Sequence, residues 1–179
     1  MSSYFDERND KTLAAIDAIL DTLPDFAREF NVGISMRTMP LTRLGYLRDI
    51  RVFCVYLTRK KFKDKQLVEL QLSDIASVTP TDVETFIDWL SSYTVDGKRY
   101  ACKERAKERK VSSLRAMFKY FYKKERLTND VMTKVDTPKT HLKPIIRLDV
   151  NEVVDILDEA ESGKNLEGRQ RSFHKTTAI

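Results

Sequence analysis

The chain has 179 residues, 41% hydrophobic and 33% charged, with a formal net charge of +5. That length holds one ample domain, or one domain and a piece of another, and that balance of apolar and mixed-sign charge excludes a disordered chain. Five Gly and five Pro are too few for a sheet-rich fold with many tight turns, no apolar run approaches the roughly 20 residues of a membrane span, and the acidic start MSSYFDERND lacks the apolar segment of a secretory signal, so the cytoplasm is the expected compartment.

In chain order, a first helix is expected over about residues 4–23, with Leu13, Ile16, Ile19, Leu20 and Leu23 on its apolar face. Pro24 interrupts it, because proline has no N–H for the next helical bond. A short continuation, DFAREF, is expected to stop near Gly33. Residues 31–40 read as a loop, and Pro40 suits the first turn of a second helix. That helix, LTRLGYLRDIRVFCVYLTRKK, places Leu44, Leu47, Ile50, Cys54 and Leu57 on one face, widened by Phe53 and Tyr56. Cys54 reads there as a small core residue. Thr79 before Pro80, with Asp82 three residues on, has the spacing of a capping box. Val83, Phe86, Ile87 and Leu90 then face inward with Trp89 beside them, and Asp96-Gly97 marks a turn.

The segment KERAKERKVSSLRAMFKYFYKKER, residues 103–126, carries the most information. Val111, Leu114, Phe118, Phe121 and Tyr122 recur at steps of three and four, which predicts one buried helix face. The other faces are rich in Lys and Arg. Residues 98–147 hold sixteen Lys or Arg against five acids, a net charge of +11, whereas residues 1–36 carry −4. Such a localised positive surface suits a polyanion. After Leu127 the pattern breaks. THLKPIIRL reads as an extended connector, and Asp149 is expected to cap a helix, VNEVVDILDEAES, with a stripe of Val150, Val153, Val154 and Leu157 that ends at Gly163. One helix of ~14 residues cannot bury its own face. It is expected to pack back onto the first domain or to open a domain that continues beyond the chain. The predicted organisation is a helical domain over 1–136, a basic linker over 137–148, and a further piece over 149–179.

The two Cys and two His, at 54, 102, 141 and 174, have no zinc-like spacing, and phosphate-loop, dinucleotide and hydrolase motifs are absent. Neither metal nor small-molecule cofactor is expected.

Three separated pieces resemble one family. TRLGYLRDIRVFCVYL is similar to a Thr-x-x-x-Tyr-x-x-Asp-hydrophobic-x-x-Phe pattern, falling on Thr42, Tyr46, Asp49, Ile50 and Phe53. RKVSSLRAMFKYFYKKERLTND is similar to an Arg-hydrophobic-Ser-x-Leu-Arg-x-Phe helix, falling on Lys110, Val111, Ser112, Leu114, Arg115, Phe118 and Phe121. KTHLKPIIRLDVNEVVDILD looks like an interdomain connector and the helix after it, and VTPTDVETFIDWL resembles the helix between the first two pieces. In this order they resemble the tyrosine recombinases of the phage-integrase and Xer type over roughly residues 5–162. Two positions depart from the pattern: Asp130 stands where proline is frequent, and Lys110 replaces the more usual arginine.

The resemblance implies an all-α fold, an orthogonal helical bundle of the SAM-like core-binding type, followed by a basic linker and one further helix. It implies binding of double-stranded DNA on one face, as half of a clamp, and other recombinase subunits as partners of a full-length protein. The strand-cleaving tyrosine, with its arginines, lysine and histidine, is expected beyond the present residues, so none of the seven tyrosines is assigned as a nucleophile and the chain is expected to be catalytically incomplete. Candidate DNA contacts are Lys103, Lys107, Lys110, Arg115 and Lys119 on the long helix, Arg43 and Arg48 on the second helix, and Lys139, His141, Lys143 and Arg147 on the connector. Most would meet phosphates; Arg115 and Arg43 are candidates for guanine edges. The competing reading is a helical adaptor whose basic surface docks an acidic protein.

Overall fold

The computed structural model describes residues 4–137 and 147–162. Among them the chain is all-α apart from one small hairpin. The helices are α1 (Tyr4–Leu20), α2 (Asp25–Ile34), α3 (Pro40–Lys60), α4 (Leu72–Ala76), α5 (Pro80–Trp89), α6 (Glu104–Lys123) and α7 (Val150–Ser162). Strands β1 (Tyr93–Val95) and β2 (Lys98–Tyr100) pair antiparallel between α5 and α6. None of the described helices is long and apolar enough to cross a membrane. The chain divides into two compact units, Met1–Thr140 and His141–Ile179.

In the first unit α3 is the central helix, packed against α1, α2 and α6. The stripe expected on it is fully inside: Leu47, Ile50, Phe53, Cys54 and Leu57 expose 1% or less. Phe53 meets Phe86 of α5 edge-on at 5.0 Å, Phe26 of α2 meets Phe121 of α6 in the same way at 6.3 Å, and Phe30 meets Tyr120 at 5.6 Å. These aromatic pairs add specific geometry to the area they bury. Proline begins α3 and α5 where expected. At α5 the Asp82 N–H donates to Thr79 Oγ1 at 3.2 Å and the Thr79 N–H donates to Asp82 Oδ2 at 2.8 Å, so two orphan donors are met reciprocally.

Several local expectations change. α2 stops at Ile34, beside Gly33 as expected, but residues 31–34 belong to the helix and only 35–39 form the loop. Gly33 has its own contact across the core. The phenol of Tyr120 rests on Gly33, and a Cβ there would overlap it. Tyr120 is therefore buried, while Tyr122, assigned to the core face, is 49% exposed. Met117 takes up the place on the buried face that Tyr122 was given. The Asp96-Gly97 turn builds a hairpin that the sequence did not announce, since strands of three residues are too short to show alternation. Both turn residues have positive φ, 50° and 74°, as a tight primed hairpin turn requires. Asp130, in place of proline, accepts the Met132 N–H at 3.1 Å and so caps the 3-10 turn Val131–Lys134.

In the second unit, α7 begins after Asp149, whose N–H donates to the Glu152 carboxylate at 2.8 Å. Its stripe of Val150, Val153, Val154 and Leu157 is exposed. Gly163 lies outside the described residues.

Candidate nucleic-acid interface

The cations of α6 fall into two rows with different fates. The row singled out from sequence, Lys103, Lys107 and Lys110, curves toward the protein. Lys103 at its start is exposed. Lys107 is half-buried, its Nζ donating to Ser91 Oγ at 2.7 Å. Lys110 exposes 6% and reaches Asp49 on α3 at 3.0 Å. Assigning Lys110 to DNA is therefore corrected: it is a core residue with a charged tip.

Asp49 is the hub of this contact. Its side chain has no exposure. Oδ2 accepts from Arg109 Nη1 at 2.6 Å and from the Ser113 hydroxyl at 2.7 Å, while Oδ1 accepts from Lys110. A carboxylate held by two cations and a hydroxyl is satisfied despite its burial. One negative charge against two positive ones leaves an excess cation, and that excess lies at the surface, because the Arg109 side chain stays 55% exposed. Asp49 thus neutralises Lys110 inside and fixes one edge of Arg109 outside. The sequence hid this role, since Asp49 shares the face of Tyr46, Ile50 and Phe53. Only its place in the family-like pattern drew notice.

The outward row is formed by Arg105, Arg109, Ser112, Ala116, Lys119 and Lys123, again at steps of four and three. At ~1.5 Å per residue it runs for about 27 Å. Gly45 of α3 lies beside the Arg109 guanidinium, and Arg48 is exposed one turn further along α3. Toward the other end of the row, a cavity of about 300 Å³ lies between α6 and the loop before α3. Arg37, Thr38, Tyr46, Lys119 and Lys123 line it. Among the described residues no carboxylate pairs with Arg37, Arg105, Lys119 or Lys123. The sequence reading missed Arg37, Arg105, Arg109 and Lys123. The helical period of the buried residues held the signal, because a face centred opposite Leu114 and Phe121 contains this row.

Two further candidates are held by the protein itself. Arg115 donates from Nη2 to the Val135 carbonyl at 2.7 Å and from Nη1 to Thr137 Oγ1 at 2.6 Å, pinning the segment after the last 3-10 turn onto α6. Arg43 donates to Asn31 Oδ1 at 3.3 Å, and its Nε is buried with no partner among the described residues. Neither presents a free guanidinium fork to a base edge, as was expected of them. Arg126, at the end of α6, pairs with Glu29 at 3.2 Å. Arg147 is exposed ahead of α7. Lys139, His141 and Lys143 lie outside the described residues.

No protein-family model, curated protein or solved structure matches the chain.

Cys54 is fully enclosed, and burial pushes its thiol up to about 12 against the opposing pull of Arg51, so it carries no thiolate at neutral pH. Burial also raises the Tyr93 hydroxyl, with the Cys102 sulfur 3.7 Å away adding to the effect.

Proposed function

We propose that the first unit binds the phosphate backbone of duplex DNA through the outward row of α6. The observation that carries this reading is a helix face about 27 Å long, with Arg105, Arg109, Lys119 and Lys123 exposed along it and its opposite side sealed into the core. Fixed cations on a rigid helix gain affinity by releasing counterions from the duplex. Arg109 is held at one edge by Asp49, so its remaining N–H groups are aimed before DNA arrives, and pre-ordering lowers the entropy lost on binding. Arg37, Lys119 and Lys123 ring a cavity of about 300 Å³, room enough for phosphate oxygens. Such contacts position the protein and carry little sequence information.

On this reading the unit is an orthogonal bundle of the SAM-like core-binding type and the chain is a cytoplasmic, front portion of a tyrosine recombinase, with strand cleavage performed by residues it does not contain. The ordered sequence patterns support it. So does the way their two main pieces meet: Asp49 of one is bonded to Lys110 and Ser113 of the other.

The test is duplex binding by the 179-residue chain across a salt series. The logarithm of the affinity should fall with the logarithm of salt at roughly −0.9 per phosphate neutralised. Replacing Lys119 and Lys123 by alanine should weaken binding to all sequences and reduce the slope by about 2, with thermal stability unchanged. A slope near zero in the unaltered protein would sink the proposal. The exposed stripe of α7 favours a second reading, a protein-docking adaptor, which gains if an acidic protein binds where duplex DNA in low salt does not.

A further inference from the structure

The β1–β2 hairpin stands outside the interface described so far. Its outer strand reads Lys98, Arg99, Tyr100, all exposed. A two-stranded hairpin is marginal alone in water, yet this one is fastened at every level. At its tip, Arg51 of α3 holds Asp96 through both guanidinium nitrogens, at 3.0 and 3.1 Å. Arg59 donates to the Thr94 carbonyl on β1. Beneath it, Trp89 contacts Tyr93 at 4.8 Å and Tyr93 stacks on Tyr100 at 5.4 Å. At its base, two consecutive serines hold two cations from different elements: Ser91 accepts from Lys107 of α6 and Ser92 accepts from Arg99 Nε at 3.1 Å. The hairpin is thereby tied to the first turns of α6 through Lys107 of the inner row, and Lys103 and Arg105 are exposed in those turns.

Charged residues on a short strand also serve to discourage edge-to-edge aggregation. That role needs no anchoring of the tip and no junction with another cationic element. A rigid basic projection fastened to the first turns of the cationic helix does.

We propose that this hairpin is a basic wing that grips duplex phosphates flanking the stretch held by α6, through Lys98 and Arg99. The proposal rests on the DNA reading above and extends its footprint. In each strand three residues rise about 10 Å, so the added reach is about three phosphate steps of one DNA strand. Arg99 presents Nη1 and Nη2 while Ser92 holds Nε, and Lys98 sits at the turn. The register places Arg99 opposite Thr94 and Lys98 opposite Val95, on opposite faces of the ribbon, so the two can straddle a backbone.

The experiment is fluorescence anisotropy of the 179-residue chain on a random-sequence duplex over a salt series, with unaltered protein, K98A/R99A and K119A/K123A. If the wing acts, K98A/R99A lowers the slope by about 2, since each lost phosphate contact removes ~0.9. Thermal unfolding stays in place, because neither side chain holds the core, and the charge-preserving K98R/R99K keeps the slope. If the unaltered protein binds, K119A/K123A lowers the slope and K98A/R99A leaves it untouched, the wing is overturned while the DNA reading stands. If the unaltered protein shows no salt-dependent binding, both fall together.

Discussion

Lys110 and Lys119 lie on the same helix and have opposite fates. Lys110 is sealed against Asp49 and contributes no net charge outside; Lys119 faces solvent at the mouth of a cationic cavity. Both belong to the same basic stretch, and charge count alone does not tell them apart. The difference comes from α3, which places a carboxylate opposite one and none opposite the other. Charge count along α6 therefore overstates the cations open to a partner and misplaces them, since Lys110 and Lys119 lie about half a turn apart on the helix.

The inner site gives the largest effect. Asp49→Ala leaves the Lys110 ammonium buried without its partner, and breaking a buried pair from one side costs about 3–5 kcal/mol. The melting temperature should fall on the order of 10 °C or more. Joining Asp49→Leu with Lys110→Met removes both charges, and most of the loss should return, since a buried pair replaced by apolar groups of similar volume is near neutral. Thermal unfolding of the three proteins decides it. If Asp49→Ala costs no more than a surface pair, about 0–1 kcal/mol, the distinction between the two rows disappears.

Gly33 sharpens the same boundary from the other side. Alanine in a helix gains about 1 kcal/mol over glycine, but here the new methyl would overlap the Tyr120 ring, which is enclosed by Phe30 and Phe121. Overpacking of that kind costs about 1–3 kcal/mol, so Gly33→Ala should be destabilising on balance. Adding Tyr120→Leu should recover part of the loss. A rise in stability for Gly33→Ala would mean the ring swings out freely and the inner face of α6 is looser than its burial implies.

These examples show what was legible in the sequence. Helical periodicity located α3, α5 and α6, and the prolines and the Thr79–Asp82 pair located the starts of α3 and α5, because those signals are local. The Gly33–Tyr120 contact and the Asp49 cluster join residues far apart in sequence, and periodicity cannot report a contact between helices. The rows of α6 lay between these cases. Val111, Leu114, Phe118 and Phe121 fixed the buried face correctly, but adding Tyr122 in place of Met117 and Tyr120 rotated the inferred outward face. Lys110 was thereby read as outward when it is enclosed.

Between the sealed and the open cations lie Lys65–Asp74 and Lys61–Asp82, at 2.7 and 2.6 Å, and they set the smallest of the effects. Burial alone would raise both carboxyls. The Lys65 ammonium and the Gln71 N–H outweigh it at Asp74, and the Lys61 ammonium with the Thr79 N–H and hydroxyl outweighs it at Asp82, so both are held below the usual 3.8. A carboxyl depressed in the folded state binds its proton more readily when unfolded. Its stabilisation is complete above the usual value and drains away as pH falls through the folded one. Asp74→Asn with Asp82→Asn should therefore be less stable than the unaltered protein at pH ~7, and the gap should narrow toward about pH 3. Urea unfolding at the two pH values measures it. A gap that stays constant would mean that neither carboxyl is favoured in its charged form by folding, and neither the lysines nor the capping N–H groups would then act on it as described.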